Sequence, residues 1–168
     1  MITYIDENDT IQVVTSKTEY LEDSCKEIFK KLKTKSKKIA IVESCTAGNV
    51  VGTLVENTPG ISNFLFGGLV VYTEEAKCKF LNLPIDAFKT CGTESIECSK
   101  ICSKRFYELY NYHVFSIVGH LSSDINNIYI SSFDGSFNEK IIQLKESNRS
   151  SRMMEAVEKT LEFISTIL

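Results

Sequence analysis

The chain has no tryptophan, two prolines, two histidines and eight glycines in 168 residues. So little Pro and Gly excludes collagen-like and low-complexity chains, and 43% hydrophobic with 24% charged residues describes one folded domain rather than a disordered tail. A chain this long removes about two-thirds of its unfolded surface from water, so neither a metal nor a disulfide is needed to hold it. No run approaches the ~20 apolar residues of a membrane span. Met1 to Thr10 carries three acids and no basic residue. Neither a spanning helix nor a signal peptide is expected, and the sequence reads as a soluble, cytoplasmic protein with no membrane partner.

The net charge is −3, and positive charge concentrates only at Lys30, Lys31, Lys33, Lys35, Lys37 and Lys38. Cations suit the C-terminal end of a helix, and a solvated face accounts for this run without a nucleic-acid partner. Six cysteines (Cys25, Cys45, Cys78, Cys91, Cys98, Cys102) contain no Cys-x-x-Cys pair and read as reduced thiols. Cys98 and Cys102, four apart on one helix, are better read as small buried hydrophobes than as metal ligands, because His113 and His120 complete no zinc spacing with them.

Leu21, Cys25, Ile28 and Leu32 step by four, three and four within residues 17–34, one stripe of an amphipathic helix. Ile39 to Val42 is a short apolar run rich in β-branched residues, a strand buried on both faces. Glu43-Ser44-Cys45-Thr46 follows, then Val50, Val51, Leu54 and Val55 at helical spacing. Asn57-Thr58-Pro59-Gly60 marks a turn. Phe64 to Tyr72 reads as a second strand in which Gly67-Gly68 admits a close neighbour, and a short helix runs from Thr73 or Glu74 to Phe80. Thr93 to Asn111 predicts a helix with Cys98, Ile101, Cys102, Phe106 and Leu109 inward. Val114–Val118, Ile125–Ser131 and Lys140–Leu144 are strand candidates, the last two joined by an Asp134-Gly135 hairpin turn. Met154, Val157, Leu161, Ile164 and Leu168 form the stripe of a closing helix. This order predicts an α/β fold, a mixed sheet covered by helices on both faces, in one domain over 17–168. Residues 1–16 are expected to form an arm or an edge strand around Ile11, Val13 and Val14.

Open α/β sheets bind ligands at the carboxyl ends of their strands, which is where Ser44 falls. The N–H groups of Cys45, Thr46 and Ala47, at the start of the following helix, are expected to lack intrahelical partners and to suit a phosphate or a tetrahedral oxyanion. A Ser44 or Thr46 that merely caps the helix fits the same spacing. A serine nucleophile needs a base, and neither histidine has a carboxylate partner at a recognisable position. Tyr72 and Lys77, five apart around the end of the second strand, both face the mouth of the first if the strands are adjacent. Burial there favours the uncharged amine that accepts a proton, with the phenol as relay. An exposed helix lysine and a strand-end tyrosine are the plainer reading of the same pattern.

Glu43-Ser44-Cys45-Thr46-Ala47-Gly48, Pro59-Gly60-Ile61-Ser62, Gly67-Gly68 and Val71-Tyr72-Thr73-Glu74-Glu75-Ala76-Lys77 together resemble the C-terminal domain of the competence/damage-inducible CinA proteins, which includes nicotinamide-nucleotide amidases. The resemblance covers residues 20–168 and is most specific over 39–92; nothing matches the N-terminal domain of full-length CinA. It implies a three-layer α/β/α domain with a mixed five-stranded sheet, self-association, and hydrolysis of nicotinamide mononucleotide to the acid and ammonia, without cofactor or metal. It carries Ser44 over as nucleophile with Tyr72 and Lys77 in support, and brings Thr46, Gly48 and Gly68 to the same pocket. Arg149 matches a family arginine that would suit the substrate phosphate.

Two stretches depart from the family. A glycine-rich Thr-Gly-Ile-Ala-Gly-Pro loop is replaced by Val118-Gly119-His120-Leu121-Ser122-Ser123, which leaves Gly119, His120 and Ser122 as candidate ligand contacts, a satisfied loop histidine being the plainer reading of His120. A second arginine, four beyond Arg149, is replaced by Met153, with Arg152 one position out of register. Ala47 stands where the family has glycine. Two readings of different class follow: an amidase of the mononucleotide type, or a related hydrolase of another small amide; and a domain without turnover that binds a nucleotide or a protein.

Overall fold

The computed structural model describes residues 3–5, 11–13, 16–122 and 125–168, with side chains from Tyr20 onward. Strands β1 (Thr3–Ile5) and β2 (Ile11–Val13) pair antiparallel with each other in a separate two-stranded sheet. The rest of the arm expected over 1–16, and Val14, Ser123 and Asp124, lie outside the described residues.

Helix α1 (Ser16–Lys35) buries Leu21, Cys25, Ile28 and Leu32 as its stripe requires. It leads into β3 (Ile39–Glu43), whose five side chains are all buried because helices cover both faces. Then come α2 (Asn49–Asn57), β4 (Leu65–Val70), α3 (Glu74–Phe80), α4 (Ile96–Tyr110), β5 (His113–Gly119), β6 (Asn127–Phe133), β7 (Phe137–Gln143) and α5 (Arg149–Ile167). The sheet order is β4-β3-β5-β6-β7, parallel across β4-β3-β5 and antiparallel across β5-β6-β7. One core packs α1, α2 and α5 on one face, the other packs α3 and α4 on the opposite face, giving the expected three layers. The chain leaves β3 toward the first face and β4 toward the second, so a crevice opens between their carboxyl ends.

Several boundaries and faces differ from the sequence reading. β6 starts two residues later than expected, and β7 starts three earlier because its mostly exposed polar residues are held by pairing to β6 rather than by burial. Helix α4 starts at Ile96, capped by Ser95, and leaves Leu109 exposed. Its inner face holds Ser99 and Ser103 instead, whose hydroxyls meet Ser131 at 2.9 Å and let the helix approach the sheet. In α5, Met154 is exposed, while Arg152 and Glu155 are buried because the first turns face loops. Gly67 has open space beside it; only Gly68 fills the close-approach role, against Val51 of α2. All six cysteines are free, and no His/Cys/Asp/Glu group among the described residues has the makings of a metal site. No described helix is long and apolar enough to cross a membrane.

Candidate active site

The turn after β3 is held on three sides. Ser44 N–H donates to Ile117 O of β5 at 2.9 Å, and Val71 N–H donates to Glu43 O at 2.8 Å, so the ends of all three parallel strands converge on Ser44. The Glu43 side chain, 1% exposed, turns under the loop. Its carboxylate accepts from Thr46 Oγ1 at 2.6 Å and from the N–H groups of Gly48, Val50 and Val51 at 3.0, 3.1 and 2.9 Å. These are the first donors of α2, which begins at Asn49, four residues later than the sequence suggested. The start of the helix is therefore occupied by the chain's own carboxylate, which takes none of the three N–H groups, of Cys45, Thr46 and Ala47, expected to hold an anion. Ala47 N–H closes a tight turn onto Ser44 O at 3.2 Å, with Ala47 at φ 52°, the conformation in which glycine would be free of strain. Within this turn, the N–H groups of Cys45 and Thr46 donate to no other described residue.

Helix α3, capped by Thr73 through Ala76 N–H, brings Lys77 back under this turn. Lys77 Nζ donates to Ser44 Oγ at 3.2 Å, and the two residues are 2% and 7% exposed. Among the described residues Lys77 forms no ion pair, so the amine meets the hydroxyl without a carboxylate between them. Cys45 lies beside it, and burial pushes its thiol up to about 12, which leaves it protonated and a poor nucleophile at neutral pH.

A cavity of about 180 Å³ opens at Ser44, lined by Ser44, Cys45, Tyr72, Glu94, Gly119, His120, Leu121, Ser122 and Arg149. The exposed Tyr72 accepts at its hydroxyl from Arg149 Nη2 at 3.2 Å, which joins the end of β4 to the start of α5 across the mouth. His120 Nε2 is in hydrogen-bonding contact with Glu94 Oε2, which corrects the expectation that neither histidine has a carboxylate partner. Glu94 escaped notice because it sits in a loop more than twenty residues before His120 and no spacing rule connects them. Gly119 is required where β5 leaves the sheet: a Cβ there would stand 2.4 Å from Asn127 O.

Of the residues singled out from sequence, Ser44, Lys77, Tyr72, Cys45, Gly119, His120 and Arg149 thus converge. Thr46, Ala47 and Gly48 shape the turn without lining the cavity, and Gly68 packs against Val51 and does not line it either. Arg152 does not stand in for the missing arginine. It is buried and donates to the carbonyls of Glu146 (2.8 Å), Leu121 (3.4 Å), Ser122 (2.9 Å) and Ser147 (2.6 Å), which pins the loop after β5 to the loop before α5. Glu155 completes this brace by accepting from the N–H groups of Lys145 and Glu146 at 2.8 and 3.0 Å.

Residues 21–115 match the family model of the CinA C-terminal domain. A CinA-like protein of Dictyoglomus thermophilum is 43% identical over 68 residues, 40% of this chain and 16% of that protein. A CinA-like protein of Thermotoga neapolitana is 34% identical over 97 residues, 54% of this chain and 24% of that protein. The chain matches a quarter or less of the length of these relatives. Among solved structures, the competence damage-inducible protein A of Klebsiella pneumoniae superposes with a TM-score of 0.81 at 18% identity, over 87% of this chain and 95% of that one. The CinA superfamily protein of Escherichia coli gives 0.82 at 17% identity, over 98% and 99%. At these identities the solved structures share the fold, while the matched model covers more than half of the sequence, including the turn at Ser44 and the helix that carries Lys77. The chain belongs to the CinA C-terminal domain family.

Proposed function

We propose that the protein hydrolyses the carboxamide of a pyridine mononucleotide, of the nicotinamide mononucleotide type, through an acyl-enzyme on Ser44. The observation that carries this reading is the 3.2 Å contact between two buried groups, Lys77 Nζ and Ser44 Oγ. With the amine uncharged, the same line carries the serine proton to Lys77 as Oγ adds to the carbonyl carbon. The unpaired N–H groups of Cys45 and Thr46 are the available donors for the oxyanion that forms. Collapse of the tetrahedral intermediate expels ammonia, and water then releases the acid. Arg149, which lines the cavity and donates to Tyr72, suits a substrate phosphate. No metal or cofactor enters any of these steps.

Ammonia release from nicotinamide mononucleotide by the wild type, Ser44→Ala and Lys77→Met tests the reading. The expected result is turnover by the wild type and a loss of at least ~10³-fold in both variants. Equal background rates in all three would remove it. A nucleotide-binding domain without turnover is the second reading, favoured by the replacement of the family's glycine-rich loop with Val118-Gly119-His120-Leu121-Ser122-Ser123. In that case the nucleotide raises the melting temperature, since a binder is stabilised by RT ln(1 + [L]/Kd), while no ammonia appears.

A further inference from the structure

The cavity at Ser44 is lined by a second proton-carrying pair, His120 and Glu94, while Lys77 reaches Ser44 without lining it. We propose that His120 is a further catalytic residue, which gives a proton to the departing nitrogen and takes one from the hydrolytic water, with Glu94 as its positioning residue. This rests on the serine-amidase reading above. Glu94 Oε2 accepts from His120 at Nε2, which fixes the ring and the tautomer and leaves Nδ1 as the atom free to exchange protons. No described residue bonds Nδ1. The backbone N–H of His120 donates to Asn127 O at 3.0 Å, and the arginine brace holds the next two carbonyls, so the ring stands on a fixed loop. Ser44 and His120 line the same cavity of about 180 Å³, so a group bound at Ser44 shares that space with the ring and can exchange a proton with it directly or through one water.

Lys77 alone is badly placed for two proton transfers at once. It lies beneath Ser44 and is bonded to the attacking oxygen, while the leaving nitrogen and the later water occupy the open side. With two pairs the protons balance. In acylation the Ser44 proton goes to Lys77, the C–O bond forms and the C–N bond breaks, and protonated His120 supplies the proton that turns the leaving group into ammonia. In deacylation the now neutral His120 takes a proton from water as its oxygen adds to the acyl carbon. The ester bond breaks, and the Ser44 oxygen recovers its proton from Lys77. Both pairs return to their starting states, and the sum is amide plus water giving acid plus ammonia.

p-Nitrophenyl acetate separates the two roles, because nitrophenolate leaves without a proton. Acetylation of Ser44 is followed by intact mass in the full-length wild type, His120→Gln, His120→Ala, Glu94→Gln, Glu94→Asp and Ser44→Ala, alongside ammonia release from nicotinamide mononucleotide. His120→Gln is expected to acetylate at the wild-type rate and to lose the acetyl group about 100-fold more slowly. Its kcat on the amide falls by a similar factor with KM changed less than about threefold. Added imidazole restores deacetylation to His120→Ala, and Glu94→Asp retains more of it than Glu94→Gln. Wild-type deacetylation by His120→Gln, a change in KM alone, or failure of wild-type Ser44 to acetylate would overturn the assignment. If the wild type releases no ammonia while deacetylation still depends on His120, the mononucleotide falls as substrate and the role of His120 stands.

Discussion

Ser44 and Cys45 are neighbours in one cavity, and burial separates their chemistry: the thiol is held protonated near 12 while the hydroxyl has an amine at 3.2 Å. The sequence placed Ser44 and Lys77 at strand and helix positions that can meet, because each sits next to an element boundary that apolar patterning marks clearly. It could not reveal that Glu43 fills the helix start, since an acid after a buried strand reads equally well as a residue turning to solvent. The same scale explains His113, which is buried against Phe115 with neither ring nitrogen hydrogen-bonded. Desolvation pushes it down to about 4 from 6.5, a nearby Asp134 opposes this, and Lys37 and Lys35 add to it. The unfolded chain therefore binds a proton below about pH 6.5 that the folded protein refuses until about pH 4, and stability falls across that window. Thermal melts of the wild type and His113→Phe at pH 7, 5.5 and 4 are expected to diverge as the pH drops, with the variant gaining relative to the wild type. A constant difference would mean that His113 carries no such linkage.

At the scale of elements, the loops around the site are held by α5 rather than by their own sequence. A stripe of Val157, Leu161, Ile164 and Leu168 docks the helix as its period foretells. Its first turns were misread because an arginine and a glutamate were given no buried role. Arg152 satisfies four carbonyls and Glu155 two amides that would otherwise be stranded where two loops meet. Arg152→Met is expected to cost about 3 kcal/mol, a fall of roughly 10 °C in Tm. Hydrogen exchange should rise in residues 119–122 and 144–148 while β3 stays protected. Uniform loosening of the whole sheet, or none, would contradict a bracing role. Ser99 and Ser103 teach the same lesson on α4: apolar periodicity finds the stripe but passes over small hydroxyls that pack against a strand and bond across it.

On the scale of the molecule, the three-layer architecture was legible because one buried β-branched strand, a glycine-bearing second strand and a terminal hairpin fix the sheet, and the helices have only its two faces to cover. The edges were less legible, since β7 is held by its partner and not by burial. The crevice between the diverging exits of β3 and β4 follows from that topology and gathers residues from positions 44 to 149 into one cavity. What sequence spacing could not supply was the His120–Glu94 pair, a meeting of two loops. The proposed chemistry turns on which atom attacks the amide. Rapid quenching of the wild type with nicotinamide mononucleotide, followed by peptide mass mapping, is predicted to find the acyl group on Ser44 and none on the Ser44→Ala protein. Acylation of Cys45 instead, or ammonia release at the wild-type rate by Ser44→Ala, would contradict it.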